Sequence, residues 1–144
     1  MEWLSDLEGE TVCLDTAPLI YYIEDGLHHE KLDPLFEKIS KGEIYGLSST
    51  ITLLEVLVHP YREGNKELAN AYRNILLNSE NFLILPVVEE IAEQAAELRA
   101  EYGIKTPDAI QVATSIFGKA KVFLTNDGKL EKIEEIEILV LKEM

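Results

Sequence analysis

Residues 105–127 read Lys-Thr-Pro-Asp-Ala-Ile-Gln-Val-Ala-Thr-Ser-Ile-Phe-Gly-Lys-Ala-Lys-Val-Phe-Leu-Thr-Asn-Asp. Thr106 is a favoured helix N-cap and Pro107 suits the first helical position, so a helix is expected to start there. Asp108 falls in its first turn, where the helix dipole favours a negative charge. Ala109, Ile110, Val112, Ala113, Ile116 and Phe117 recur at helical spacing, and Gly118 is expected to end the helix. The apolar run Val122-Phe123-Leu124 follows at once as a short strand and ends in Thr125-Asn126-Asp127. One helix start and one strand end each present a carboxylate.

The same alternation runs through the rest of the chain. After a lead-in over residues 1–10, Val12-Cys13-Leu14 reads as a buried strand with Asp15 at its carboxyl end. Pro18 opens a helix, and a second helix carries Leu32, Leu35, Phe36 and Ile39 on one stripe before Gly42. Ile44 to Leu47 is a second strand. Ser48 and Ser49 are placed to cap a helix reaching about Val58, since Pro60 forbids much extension. A helix over 66–78 precedes the strand Phe82 to Leu85. Pro86 leads into a long helix with Val88, Ile91, Ala92, Ala95 and Leu98 inward, ending at Gly103, and Ile136 to Leu141 makes the last strand. Short apolar strands alternating with helices predict an α/β fold, a parallel sheet covered on both faces. No linker or repeat interrupts residues 1–144, so one domain is expected. In such sheets the site lies beyond the carboxyl ends of the strands, where Asp15 and Asp127 both fall.

Composition narrows the function. The net charge is −14, from 27 acidic and 13 basic residues, which argues against a protein that coats nucleic-acid phosphates with a basic surface. It leaves open an enzyme that meets a few phosphates through bound metal, and it suits a partner with a basic segment. The single cysteine, Cys13, lies in an apolar strand and reads as a core residue in a reducing compartment. No apolar run approaches the ~20 residues of a membrane span. The acidic N-terminus lacks the basic start of a signal peptide. A cytoplasmic protein with no membrane partner is expected.

Charged residues make up 28% of the chain, yet three carboxylates stand alone in segments that read as buried. Asp15 is the only charged residue between Glu10 and Glu24, and Asp108 the only one between Lys105 and Lys119. Glu55 is the only one between Glu43 and Arg62, in a helix apolar nearly all round, which implies packing on most sides. Burying an ionised carboxylate without compensation costs several kcal/mol. Each has an ordinary reading: Asp15 as a helix cap, Asp108 as a dipole partner, Glu55 in a buried ion pair, and Asp127 as a turn residue before Gly128. A shared reading is a hard divalent cation such as Mg²⁺, which takes oxygen ligands, keeps several waters and bridges to phosphate. There is no Cys/His cluster with zinc spacing, because His28 and His29 are adjacent in an expected loop, and there is no glycine-rich phosphate loop.

Over nearly its whole length the chain resembles a PIN domain, and among those the ribonuclease toxins of bacterial and archaeal toxin–antitoxin pairs. The resemblance rests on an ordered set: Leu14-Asp15-Thr16 ending an early strand, Leu53-Leu54-Glu55-Val56 in an apolar helix, Pro107-Asp108-Ala109 opening a helix, and Thr125-Asn126-Asp127 ending a strand. The run Glu55-Val56-Leu57-Val58-His59-Pro60 is also similar to stretches in such proteins. The resemblance implies a three-layer α/β/α sandwich on a five-stranded parallel sheet ordered 3-2-1-4-5. It implies Mg²⁺- or Mn²⁺-dependent cleavage of single-stranded RNA. Asp15, Glu55, Asp108 and Asp127 match the family's acidic metal-binding set, and Thr125 its polar position before the last Asp. A homodimer and an inhibitory antitoxin partner are implied as well. In this family the last motif often continues with a second acidic residue, where this chain has Gly128-Lys129. Arg62, Lys105 and Lys129 stand near the motifs as candidates to dock RNA.

Other classes fit less well. A dehalogenase-type phosphatase wants a second Asp two residues after the first, and position 17 is Ala; a phospho-receiver wants an acidic pair on the first strand. A catalytically silent PIN-like module acting through protein binding and a housekeeping RNA-processing nuclease remain as alternatives.

Overall fold

The structure, a computed structural model, describes residues 2–24 and 26–144. Its helices are α1 (Glu2–Ser5), α2 (Thr16–Ile23), α3 (His29–Ser40), α4 (Thr50–Glu63), α5 (Lys66–Asn78), α6 (Glu89–Tyr102) and α7 (Thr106–Phe117). Its strands are β1 (Thr11–Leu14), β2 (Tyr45–Ser49), β3 (Phe82–Leu85), β4 (Val122–Thr125) and β5 (Glu137–Val140). All strand pairs are parallel, in the order β3-β2-β1-β4-β5. The sheet order implied by the resemblance is therefore the one found.

Successive strand residues point to opposite faces, and each face has its own core. Val12, Leu14, Val122 and Leu124 join the apolar cluster formed with α2, α3, α4 and α5. Cys13 and Phe123, one residue out of phase, join the cluster formed with α6 and α7. The helices thus form two layers around the sheet. Cys13 is fully buried, and burial holds its thiol well above the usual range. β1 sits between β2 and β4, so the connections leave it in opposite directions. That makes the carboxyl ends of β1 and β4 the switch point where ligands enter such sheets.

Four local expectations are corrected. First, α4 does not stop near Val58; it runs through Pro60 to Glu63. Pro60 forfeits one helical hydrogen bond but is itself buried. The extra turn closes on left-handed Gly64, with the amides of Asn65 and Gly64 donating to the carbonyls of Pro60 and Tyr61. Second, α4 is not packed on most sides. Leu54, Val58 and Tyr61 form an exposed stripe, and Glu55 is exposed beside it, so it forms no buried ion pair. Third, Val88 and Ala92 face outward on α6, whose inner stripe is Ile91, Ala95 and Leu98. The start of α7 shifts by one residue: Lys105 is the N-cap and Thr106 makes no capping bond.

Gly46 of β2 faces its cross-strand partner Phe82, and a Cβ there would run into the Phe82 ring. Phe82 is not free to withdraw, because its ring stacks in turn on Phe36 at 6.5 Å. Gly46→Ala is therefore expected to cost about 1–3 kcal/mol through overpacking. Its urea midpoint should fall with an unchanged slope, and a wild-type midpoint would refute the argument.

Candidate active site

Asp15 terminates β1 and begins α2, and both roles fix its carboxylate. Its backbone amide continues the ladder by donating to Leu124 O of β4 at 2.9 Å. Its Oδ1 accepts from the Thr16 amide at 2.8 Å, capping α2. Its Oδ2 accepts from Thr125 Oγ1 at 2.7 Å, at the end of β4. Thr125 is fully buried and also accepts from the Asp127 amide at 3.1 Å. One hydroxyl thus ties the ends of β1 and β4 together and orients the turn carrying Asp127. Asn126 braces the same turn, donating to Tyr21 Oη at 3.3 Å and accepting from the Lys142 amide at 2.9 Å.

Glu55 joins from α4. Its Oε1 accepts from Thr16 Oγ1 at 2.6 Å, so the residue after Asp15 links the two carboxylates. Behind this link lies a buried polar network that the sequence reading missed. Gln111 of α7 is 1% exposed; its Oε1 accepts from Ser49 Oγ at 2.7 Å, and its Nε2 donates to Thr52 Oγ1 and, at 3.4 Å, to Thr16 Oγ1. Ser48 Oγ donates to Leu14 O at 2.8 Å. The only signal available beforehand was a lone glutamine on the apolar face of a helix. Such a residue must find buried partners, but its sequence neighbours do not reveal them.

Asp108 is half-buried at the start of α7. It shares a cleft of about 240 Å³ with Asp127, Lys105, Lys129 and Lys132. Asp127 caps the 3₁₀ turn Gly128–Lys132 by accepting from the Lys129 amide at 2.9 Å, so the turn role open to it is filled as well. Lys132 had not been singled out from sequence. Arg62 does not line this cleft; it lies seven residues, about 10 Å of helix, beyond Glu55.

The carboxylates sense one another. Burial pushes the Asp15 carboxyl up; the hydrogen bonds from Thr125 and Thr16 oppose this, and repulsion from Asp108 and Glu55 adds to it, leaving it at about 6. Asp108 is also held above the usual carboxylate range, first by burial, then by Asp127 and Glu55, against the pull of Lys105. An anionic, oxygen-only donor set with raised carboxylates fits a hard divalent cation. Among the described residues no three His, Cys, Asp or Glu side chains are already close enough together to hold a metal ion by themselves. An ion here would keep part of its water shell, as Mg²⁺ commonly does.

The PIN domain family model matches residues 12–136. No curated protein sequence matches the chain. Solved structures do. A chain of the VapBC2 complex of Rickettsia felis bound to promoter DNA is 21% identical, with a TM-score of 0.74 over 90% of this chain and 98% of that one. A chain of a toxin–antitoxin complex from Klebsiella pneumoniae is 23% identical, with a TM-score of 0.69 over 90% and 97%. VapC20 of Mycobacterium tuberculosis, described as a toxin that cleaves the sarcin–ricin loop, is 19% identical, with a TM-score of 0.69 over 88% and 98%.

Proposed function

Since the chain belongs to the PIN domain family, we propose that it is a metal-dependent endoribonuclease. In this reading it hydrolyses phosphodiester bonds in single-stranded RNA, in the cytoplasm, as the toxin of a toxin–antitoxin pair. The observation that carries the reading is geometric: Asp15 and Glu55 are linked through Thr16, and Asp108 and Asp127 share a cleft, by the carboxyl ends of β1 and β4. Asp15, Glu55, Asp108 and Asp127 would hold Mg²⁺ or Mn²⁺, directly or through water. The bound ion supplies a water of lowered pKa and positive charge against the phosphate.

The chain's own residues do the positioning. Thr125 and the Thr16 amide hold the two oxygens of Asp15, and Thr16 restrains Glu55. Gln111 and Thr52 keep Thr16 from turning away. Support for the toxin role comes from the complexes named above, and the net charge of −14 suits an antitoxin with a basic segment. Two copies are expected to associate as a homodimer.

Asp108→Asn keeps the size of the side chain and removes its charge. Cleavage of a mixed RNA pool with Mn²⁺ is expected to fall at least about 100-fold, beyond the loss typical of residues that merely support a metal ligand. The far-UV spectrum and melting midpoint should stay near wild type. Full activity in this variant would sink the assignment. A wild-type protein that cuts no RNA but binds a protein partner tightly would move the chain to the silent-module reading.

A further inference from the structure

The basic residues of this chain are few, 13 in 144, yet three lysines line one small cleft with Asp108 and Asp127. Lys105 comes from the N-cap of α7, and Lys129 and Lys132 from the 3₁₀ turn after β4. Two other lysines are spent on carboxylates: Lys38 pairs with Glu8 and Glu43, and Lys41 with Glu37. Among the described residues, Lys105, Lys129 and Lys132 form no such salt bridge, and all three are exposed. With Asp108 and Asp127 as the only carboxylates among the lining residues, the cleft carries one more positive than negative side chain, a spot that can receive an anion on an otherwise acidic protein.

The cleft's size and position restrict that anion. At about 240 Å³ it falls below the roughly 300–1,000 Å³ of pockets for drug-sized ligands. It therefore fits one unit of a longer chain. It also opens directly onto Asp108 and Asp127, so its occupant is continuous with whatever reaches the acidic centre. A polyanion whose reacting phosphate is neutralised at that centre still carries neighbouring phosphates past a protein of net charge −14. Lysine meets such a group as a compact point charge, without base preference.

We propose that Lys105, Lys129 and Lys132 form a phosphate subsite that holds the backbone phosphate flanking the scissile one in the RNA. The subsite rests on the nuclease reading above. It gives the substrate a fixed direction of approach, with the flanking phosphate on the α7 side of the acidic centre. Lys129 anchors Asp127 through its backbone amide, so its side chain is available to the ligand.

The test is fluorescence anisotropy of a labelled, mixed-sequence single-stranded RNA of about 12 nucleotides with Mg²⁺ present, in an Asp15→Asn background that spares the probe. Lys105 stays in place, because its charge also acts on Asp108. Lys129→Gln with Lys132→Gln should weaken binding about five- to tenfold at ~50 mM salt and flatten the log–log salt slope by about 0.7, the share of one single-strand phosphate. The Arg counterparts should restore both. In the otherwise wild-type enzyme the Gln pair should raise KM while kcat stays within about threefold. Unchanged affinity and slope in the Gln pair, with Asp108→Asn inactive, overturn the subsite alone. Loss of poly-glutamate binding without loss of RNA binding also overturns it, by making the cleft an acidic-peptide site. The expected slope change in a protein that cuts no RNA keeps the subsite and removes the nuclease reading.

Discussion

Asp15→Asn should abolish cleavage, by at least about 100-fold, and at the same time stabilise the metal-free protein. The two effects share one cause. Asp15 is held at about 6 in the folded state against an ordinary 3.8, so folding favours its protonated form. Below 3.8 both states carry the proton and the wild type suffers no penalty. As pH rises through about 6, the folded state must give up a proton that it binds more tightly than the unfolded chain does, and stability falls. The shift of about two units corresponds to at most about 3 kcal/mol for this half-buried group. The asparagine keeps an oxygen for the Thr16 amide, and the Thr125 hydroxyl can rotate to accept from its new amide. Thermal melts in EDTA should therefore coincide for the two proteins near pH 4 and separate by about pH 7, the variant being the more stable. Adding Mn²⁺ near pH 8 should raise the wild-type midpoint by mass action and leave the variant behind. A variant less stable than wild type in EDTA at the higher pH would show that the carboxylate's hydrogen bonds outweigh its desolvation.

Gln111→Ala should be the most damaging change within the buried polar network behind the site. It removes the acceptor of the Ser49 hydroxyl and one of the two partners of Thr52, both fully buried, and leaves a cavity between α4 and α7. Lost hydrogen bonds, the orphaned Ser49 hydroxyl and the cavity together are expected to cost about 2–4 kcal/mol. For a chain of this length that lowers the melting midpoint by roughly 5–15 °C. Gln111→Leu separates the contributions. It refills most of the space yet still strands the Ser49 hydroxyl, so it should recover only part of the loss. Cleavage should fall in both variants, because Thr16 loses a contact that holds it toward Glu55. A melting midpoint within a degree of wild type in the alanine variant would mean that the network contributes little.

β1 and β4 were legible because each is an apolar run bounded by a polar residue, Asp15 and Thr125 marking their ends, whereas β2 runs on through Ser48 and Ser49, beyond the apolar run Ile44 to Leu47. The sheet order came from the family resemblance; periodicity alone does not say which strand pairs with which. The ordinary readings of two carboxylates hold, since Asp15 caps α2 and Asp127 caps the 3₁₀ turn. Glu55 was misjudged for a physical reason. Leu54, Val58 and Tyr61 are 59%, 43% and 58% exposed, so the apolar character of α4 marks surface left uncovered within this chain rather than its own core. Gln111 was invisible because its partners lie on other elements, and Lys132 because Lys105 and Asp108, with which it lines the cleft, do. Pro60 misled because the cost of one lost hydrogen bond was weighed without the burial and the glycine cap that offset it.

The hydrogen bond between Thr125 and Asp15 spans 110 residues of chain. Synthesis proceeds at about 5–20 residues per second, so Asp15 is added to the chain roughly 5–22 s before Thr125 exists to orient it. β1 meanwhile lacks β4, its neighbour on that side. A chain that stops before Thr125 therefore has no donor in place for Asp15 Oδ2, and the ends of β1 and β4 are tied together only after that residue is made.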